Sequence, residues 1–213
     1  TTLFRSKVFF RLSMYKPALI WFFIALILRL FFLCFFHYYS IYAGYEGFYP
    51  VSSGHDDRLY YMLASQILKG EIPDLPNNYP YVLAVIFLLT GENIFFGKLF
   101  NVLSSAATVF VGVLLARDLF KQESLPSTSL RHPANITGAI LSLYPFSIFY
   151  STQLIRDSII VFLGVLNIFF MLRLMQQKKW IYWVQIIVFT LLLFWIRPYA
   201  SIIVIGSFFF FFL

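Results

Sequence analysis

Long apolar runs separated by short polar segments make up most of the chain. The first run extends from Pro17 to Tyr38, behind a lead-in over 1–16 that carries Arg5, Lys7, Arg11 and Lys16 and no acid. A cleaved signal peptide has an apolar core of about 7–15 residues and a small-residue cleavage site. This run is longer and lacks such a site, so it reads as a first membrane span with a cytoplasmic N-terminus. Further spans are predicted at about 94–116, 134–151, 157–172, 180–196 and from 199 onward, which makes six. The fold class that follows is all-α integral membrane: a polytopic helical bundle forming a single transmembrane domain over 1–213.

A more polar stretch, 39–93, separates the first two predicted spans. Within it, Ser53 to Gly70 has the pattern of an amphipathic surface helix. Leu59, Met62, Leu63 and Ile67 form one apolar stripe, expected to rest on the membrane. Asp57, Tyr61, Ala64 and Leu68 form another, so Asp57 and Tyr61 lie one turn apart on one face. Ser53 is placed to cap the helix with Asp56 completing a capping box, and Gly70 is placed to end it after Lys69.

Tyr81 to Leu89 is also apolar but short of the about 20 residues a span needs. Taken as a second surface or re-entrant helix, it leaves 1–16, 117–133 and 173–179 on one side, with ten Lys and Arg between them. Basic residues concentrate on the cytoplasmic side. That side is therefore assigned to these segments, and 39–93 becomes the first extracytoplasmic loop.

Composition agrees. The chain has 213 residues, 61% hydrophobic and 12% charged, against about 45–50% and about 25% in soluble domains. The net charge of +7 sits in segments flanking apolar runs, so it reports topology and not nucleic-acid binding. One cysteine, Cys34, and three scattered histidines make neither a disulfide framework nor a zinc motif. No cofactor or metal is indicated. The chain opens on Thr1 and stops at Leu213 inside an apolar run, the expected look of a piece of a longer protein.

Under this topology three polar features share the outer face: the Asp56/Asp57 helix, the turn Gln153-Leu154-Ile155-Arg156-Asp157, and Trp195-Ile196-Arg197-Pro198-Tyr199. Each has a plainer reading. Asp56 and Asp157 suit helix caps, Arg156 a headgroup anchor, and Arg197-Pro198 a helix end. Arg29, inside the first span, is expected to face protein or a wet cavity, because a charge at membrane depth is costly. Together they suit group transfer from a lipid phosphate: arginine forks bind phosphate bidentately, and a carboxylate takes the proton of an acceptor hydroxyl.

The order of these features resembles the GT-C superfamily of membrane glycosyltransferases, which use polyprenyl-phosphate-linked sugars. It is most similar to bacterial relatives of protein mannosyltransferases and of the lipid A aminoarabinose transferase. The resemblance runs from Arg29 through Asp57, Tyr61, Ala64 and Gly70, then Tyr79-Pro80, Gly91, Lys98-Leu99-Phe100-Asn101 and Leu115 to Phe120. It continues through Leu143-Tyr144-Pro145 to Arg156-Asp157 and Arg197-Pro198.

The resemblance implies that the first-loop acid is the catalytic base. Asp57 matches it, with Asp56 one residue away where the family often has Asp-Glu. The convergence of polar residues makes Arg156 and Arg197 the expected phosphate ligands, with Tyr61, Asp157 and Arg29 as further substrate-binding residues; the resemblance implies a polyprenyl-phosphate-sugar donor and a lipid, glycan or protein acceptor. The expected location is the inner or plasma membrane, with room for partner subunits. The alternative is a non-catalytic GT-C-like scaffold or accessory subunit. A transporter is disfavoured because no internal repeat is found.

Overall fold

The computed structural model describes residues 2–48, 56–120, 129 and 131–212, with backbone alone for 2–14 and 210–212. Among the described residues the regular structure is helical throughout. The helices are α1 (Thr2–Tyr42), α2 (Asp56–Leu68), α3 (Tyr79–Thr90), α4 (Ile94–Leu119), α5 (Pro133–Leu143), α6 (Pro145–Ser151), α7 (Asp157–Gln177), α8 (Trp180–Ile196) and α9 (Pro198–Phe212). Three are long and apolar enough to cross a membrane: α1 over Tyr15–Tyr42, α4 and α7. The chain is an all-helical membrane protein.

The expectation of six spanning helices is corrected to these three. The run over 134–151 is broken at Pro145, which has no N–H to continue the helix begun at Pro133. Helix α8 has 17 residues, just short of the usual length of a span, yet like the α5–α6 pair it carries the chain between the two ends of the bundle.

Helix α4 is the hub, packed against α1, α3, α5, α6 and α7. Its small residues permit this. A Cβ at Gly112 would strike Leu141, and Ser104, Ser105 and Ala106 are buried. Close backbone approach of this kind is how helices associate where apolar burial gives no preference over lipid. One face of α4 is polar. Lys98, Asn101, Ser105 and Thr108 recur at helical spacing and are all buried.

The chain ends fall into two groups. At one end Arg117 lies over the Tyr15 ring, and Asp118 sits between Arg117 at 3.2 Å and Arg173 at 2.6 Å. At the other, His37 of α1 meets Phe95 of α4, so the chain leaves α1 and enters α4 at the same end. Helix α3 therefore does not cross, as its length foretold. Asn78 donates to the Trp195 carbonyl at 2.7 Å, which brings the 195–199 segment to this end too.

Helix α2 starts at Asp56, and the Ser53 cap lies outside the described residues. The far end is as expected. Gly70 adopts φ +81°, a left-handed conformation natural to glycine, and Glu71 N–H closes onto the Gln66 carbonyl at 3.0 Å. The predicted membrane-facing stripe is split. Leu59 and Met62 are exposed, whereas Leu63 is buried and Ile67 packs on the core. Helix α3 packs against α2, so the stripe does not lie flat as one surface.

Candidate active site

Asp57 is held in the first turn of α2 and is 1% exposed. Its Oδ1 accepts the Leu154 N–H at 3.0 Å, and its Oδ2 has no partner among the described residues. Burial pushes its carboxyl up to about 6. The positive field of Lys98 and the Leu154 N–H pull the other way, and Asp56 adds a small upward push. Asp56 itself is half-buried at the helix start.

The surroundings of Asp57 come from α3, α4 and the 152–156 segment. Lys98 is buried and donates to the Gly47 carbonyl at 2.7 Å. Gly47 has φ +89° and presses on the His37 ring, so only glycine serves there. Asn101 donates to the Gln153 carbonyl at 2.7 Å and the Ile155 carbonyl at 2.8 Å, and accepts from the Tyr79 hydroxyl at 3.0 Å. The Tyr60 hydroxyl accepts from Asn77 at 3.0 Å. Tyr61 shares the face of Asp57 as predicted, but its ring packs between Phe48 and Phe87.

The three polar features do gather at one end. Arg197, at the end of α8, pairs with Asp157 Oδ1 at 3.2 Å, and Arg156 is the residue before Asp157. The Arg156 guanidinium is half-buried and has neither a hydrogen bond nor an ion pair among the described residues. Both side chains of the Asp157–Arg197 pair are about half exposed, at 50% and 42%. Such a pair is worth about 0–1 kcal/mol, so Arg197 can leave it at little cost.

A groove of about 310 Å³ runs between α4, the α5–α6 elbow and α7. Ser105, Thr108 and Leu141 lie along it, with Ser147 and Tyr150 of α6 and then Asp157 and Ser158 of α7. Apolar walls with a few hydroxyls suit a hydrocarbon chain.

Arg29 lies behind this groove and is fully buried. Its guanidinium caps the broken helix. It donates to the Leu141 carbonyl at 3.1 Å and the Ser142 carbonyl at 3.4 Å, two acceptors that an unbroken helix would have satisfied. It also reaches Ser105 Oγ at 2.9 Å, Ser147 Oγ at 3.0 Å and the Ala25 carbonyl at 3.3 Å. The negative end of the α5 dipole faces the cation. Arg29 thus faces protein, as expected, and its donors are taken by the protein and not by an open cavity.

Lys98, Asn101 and Gln153 fall within motifs quoted from the sequence, but the sequence alone assigns them no role at the site. The signal was present in part: Lys98, Asn101, Ser105 and Thr108 form a polar stripe in an otherwise apolar helix. Gln153 carries no such signal, because its burial depends on how the segment after α6 folds back. Among the described residues no three His, Cys, Asp or Glu side chains gather as metal ligands. Comparison with protein-family models, characterised proteins and solved structures gives no match to this chain.

Proposed function

We propose that this protein is a membrane glycosyltransferase of the GT-C type, transferring a sugar from a polyprenyl-phosphate donor to an acceptor hydroxyl. The reaction takes place on the extracytoplasmic face of the inner or plasma membrane, with the N-terminus in the cytoplasm. The observation that carries the reading is Asp57, a buried carboxylate with one oxygen unpartnered among the described residues, joined through Leu154 to the segment that leads from a lipid-suited groove to Arg156. A purely structural acid would be expected to have both oxygens satisfied, since an unpaired buried group is costly.

In this mechanism the polyprenyl tail lies in the groove and the phosphate meets Arg156 and Arg197. The acceptor oxygen attacks the anomeric carbon from the face opposite the phosphate. The new C–O bond forms as the bond from carbon to phosphate oxygen breaks, and polyprenyl phosphate leaves with the electron pair. Asp57 takes the acceptor's proton as the new bond forms, a contribution of typically about 10²–10⁴-fold. A carboxyl raised to about 6 is still mostly ionised at neutral pH, yet is a stronger base than an ordinary aspartate. The test is release of polyprenyl phosphate from a radiolabelled polyprenyl-phosphate sugar by the purified protein. A donor left intact with every hydroxyl acceptor supplied would contradict the reading.

A further inference from the structure

Asp57 is closed off, and one short piece of chain closes it. Helix α6 ends at Ser151 and α7 begins at Asp157, so 152–156 is a non-helical link. Tyr150 and Asp157, which flank this link, line the groove, while its middle residue, Leu154, touches Asp57. We propose that Thr152–Arg156 is a latch that shuts Asp57 away from the groove, and that its opening admits the acceptor hydroxyl to the carboxylate. The proposal rests on the reading of Asp57 as the base.

Three observations support it. The Leu154 N–H donates to Asp57 Oδ1, the same kind of contact an acceptor O–H makes with a general base. The closed latch therefore occupies the acceptor's place. Second, the latch is buried, with Leu154 in the core beneath α2 and α3, and its side-chain hydrogen bonds to the rest of the fold are few. Asn101 grips the carbonyls of Gln153 and Ile155, and the Leu154 side chain sits against Gly97, where a Cβ would collide with it. Third, closure leaves polar groups unpaired. The Gln153 side chain is 1% exposed, and neither its oxygen nor its nitrogen has a partner among the described residues. Asp57 Oδ2 is in the same position. Lifting the segment lets all of these groups meet water, which offsets part of the cost of exposing Leu154 and Ile155.

Thiol accessibility in membranes tests the latch without any need for turnover. Cys34 is the chain's only cysteine, so Cys34→Ser with Gln153→Cys leaves one thiol, at a side chain whose removal breaks no hydrogen bond. A small water-soluble thiol reagent should modify it at least tenfold more slowly than a thiol at the exposed Glu71→Cys. Adding Gly97→Ala, which crowds Leu154, should speed modification at least tenfold, and Leu154→Ala, which removes the plug, should do the same. A thiol at Ser201→Cys, fully buried in α9, should stay protected throughout. Fast modification in the parent, or slow modification in both latch variants, overturns the proposal. So does acceleration shared by Ser201→Cys, since that reports loosening of the whole fold. These rates hold whether or not sugar transfer is observed, so failure of the latch and failure of the glycosyltransferase reading are separate results.

Discussion

The Leu154 backbone N–H meets Asp57 Oδ1 at 3.0 Å, a contact between residues 97 positions apart in sequence. It joins the loop helix to the link between α6 and α7, and the other carboxylate oxygen has no partner among the described residues.

One consequence is that Asp57 destabilises the closed fold at neutral pH. Its value of about 6 lies above the unfolded 3.8, so the unfolded chain gives up this proton first. Stability tied to the protonated form is fully present below about pH 4 and is lost as pH rises through about 6. Asp57→Asn keeps an acceptor for Leu154 and removes the charge. It should raise the thermal midpoint at pH 8, by an amount equivalent to about 2–3 kcal/mol, with the gain fading at pH 4. Thermal melts in detergent at both pH values measure this; a variant less stable at pH 8 would contradict it.

Arg29 should behave as a structural group. Arg29→Met strands the Leu141 and Ser142 carbonyls at the Pro145 break, at roughly 1–3 kcal/mol each. Arg29→Lys restores charge without the fork, and so should recover only part of the loss. Thermal melts of both variants would show the ordering wild type, Lys, Met. Equal stability in all three would remove Arg29 from the elbow.

Arg156 and Arg197 should act on the donor. Replacing either with Lys leaves a point charge without bidentate geometry and should raise the donor KM by roughly tenfold, with little change in the melt. Arg197 gives up only a half-exposed partner, Asp157, when it turns to phosphate. Unchanged donor KM in both variants would place the phosphate elsewhere.

The proposed orientation puts the two groups of helix ends on opposite sides of the membrane. With Cys34→Ser, a thiol at Glu71→Cys should react with an impermeant reagent added outside intact cells. A thiol at Lys179→Cys should react only after the membrane is opened. The reverse pattern would put Asp57 in the cytoplasm.

Much of this arrangement was legible as pattern. Helical spacing located α2, Gly70 marked its end, and the shortness of the Tyr81–Leu89 run kept α3 from crossing. The gathering of Arg156, Asp157 and Arg197 followed from which apolar runs could cross. What escaped depends on contacts distant in sequence. Tyr144-Pro145 is visible in the sequence, yet the apolar run over 134–151 passes through it unbroken, because hydropathy does not register a missing N–H. The break survives because Arg29, more than a hundred positions away, satisfies the freed carbonyls. The same holds for Asp57. Its place on α2 is periodic, but its closure by Leu154 and its field from Lys98 arise only once α4 and α6 are packed.

The most direct test of the central claim compares Asp57→Asn with Asp56→Asn in membranes supplied with a labelled polyprenyl-phosphate sugar. Asp56 sits at the start of α2, where its loss should cost about 0.5–2 kcal/mol of helix stability and leave transfer running. Asp57→Asn should insert, fold and bind donor, with turnover reduced by about 10²–10⁴-fold. Full transfer in Asp57→Asn beside an inactive, well-folded Asp56→Asn would move the base by one residue. Full transfer in both would contradict the account.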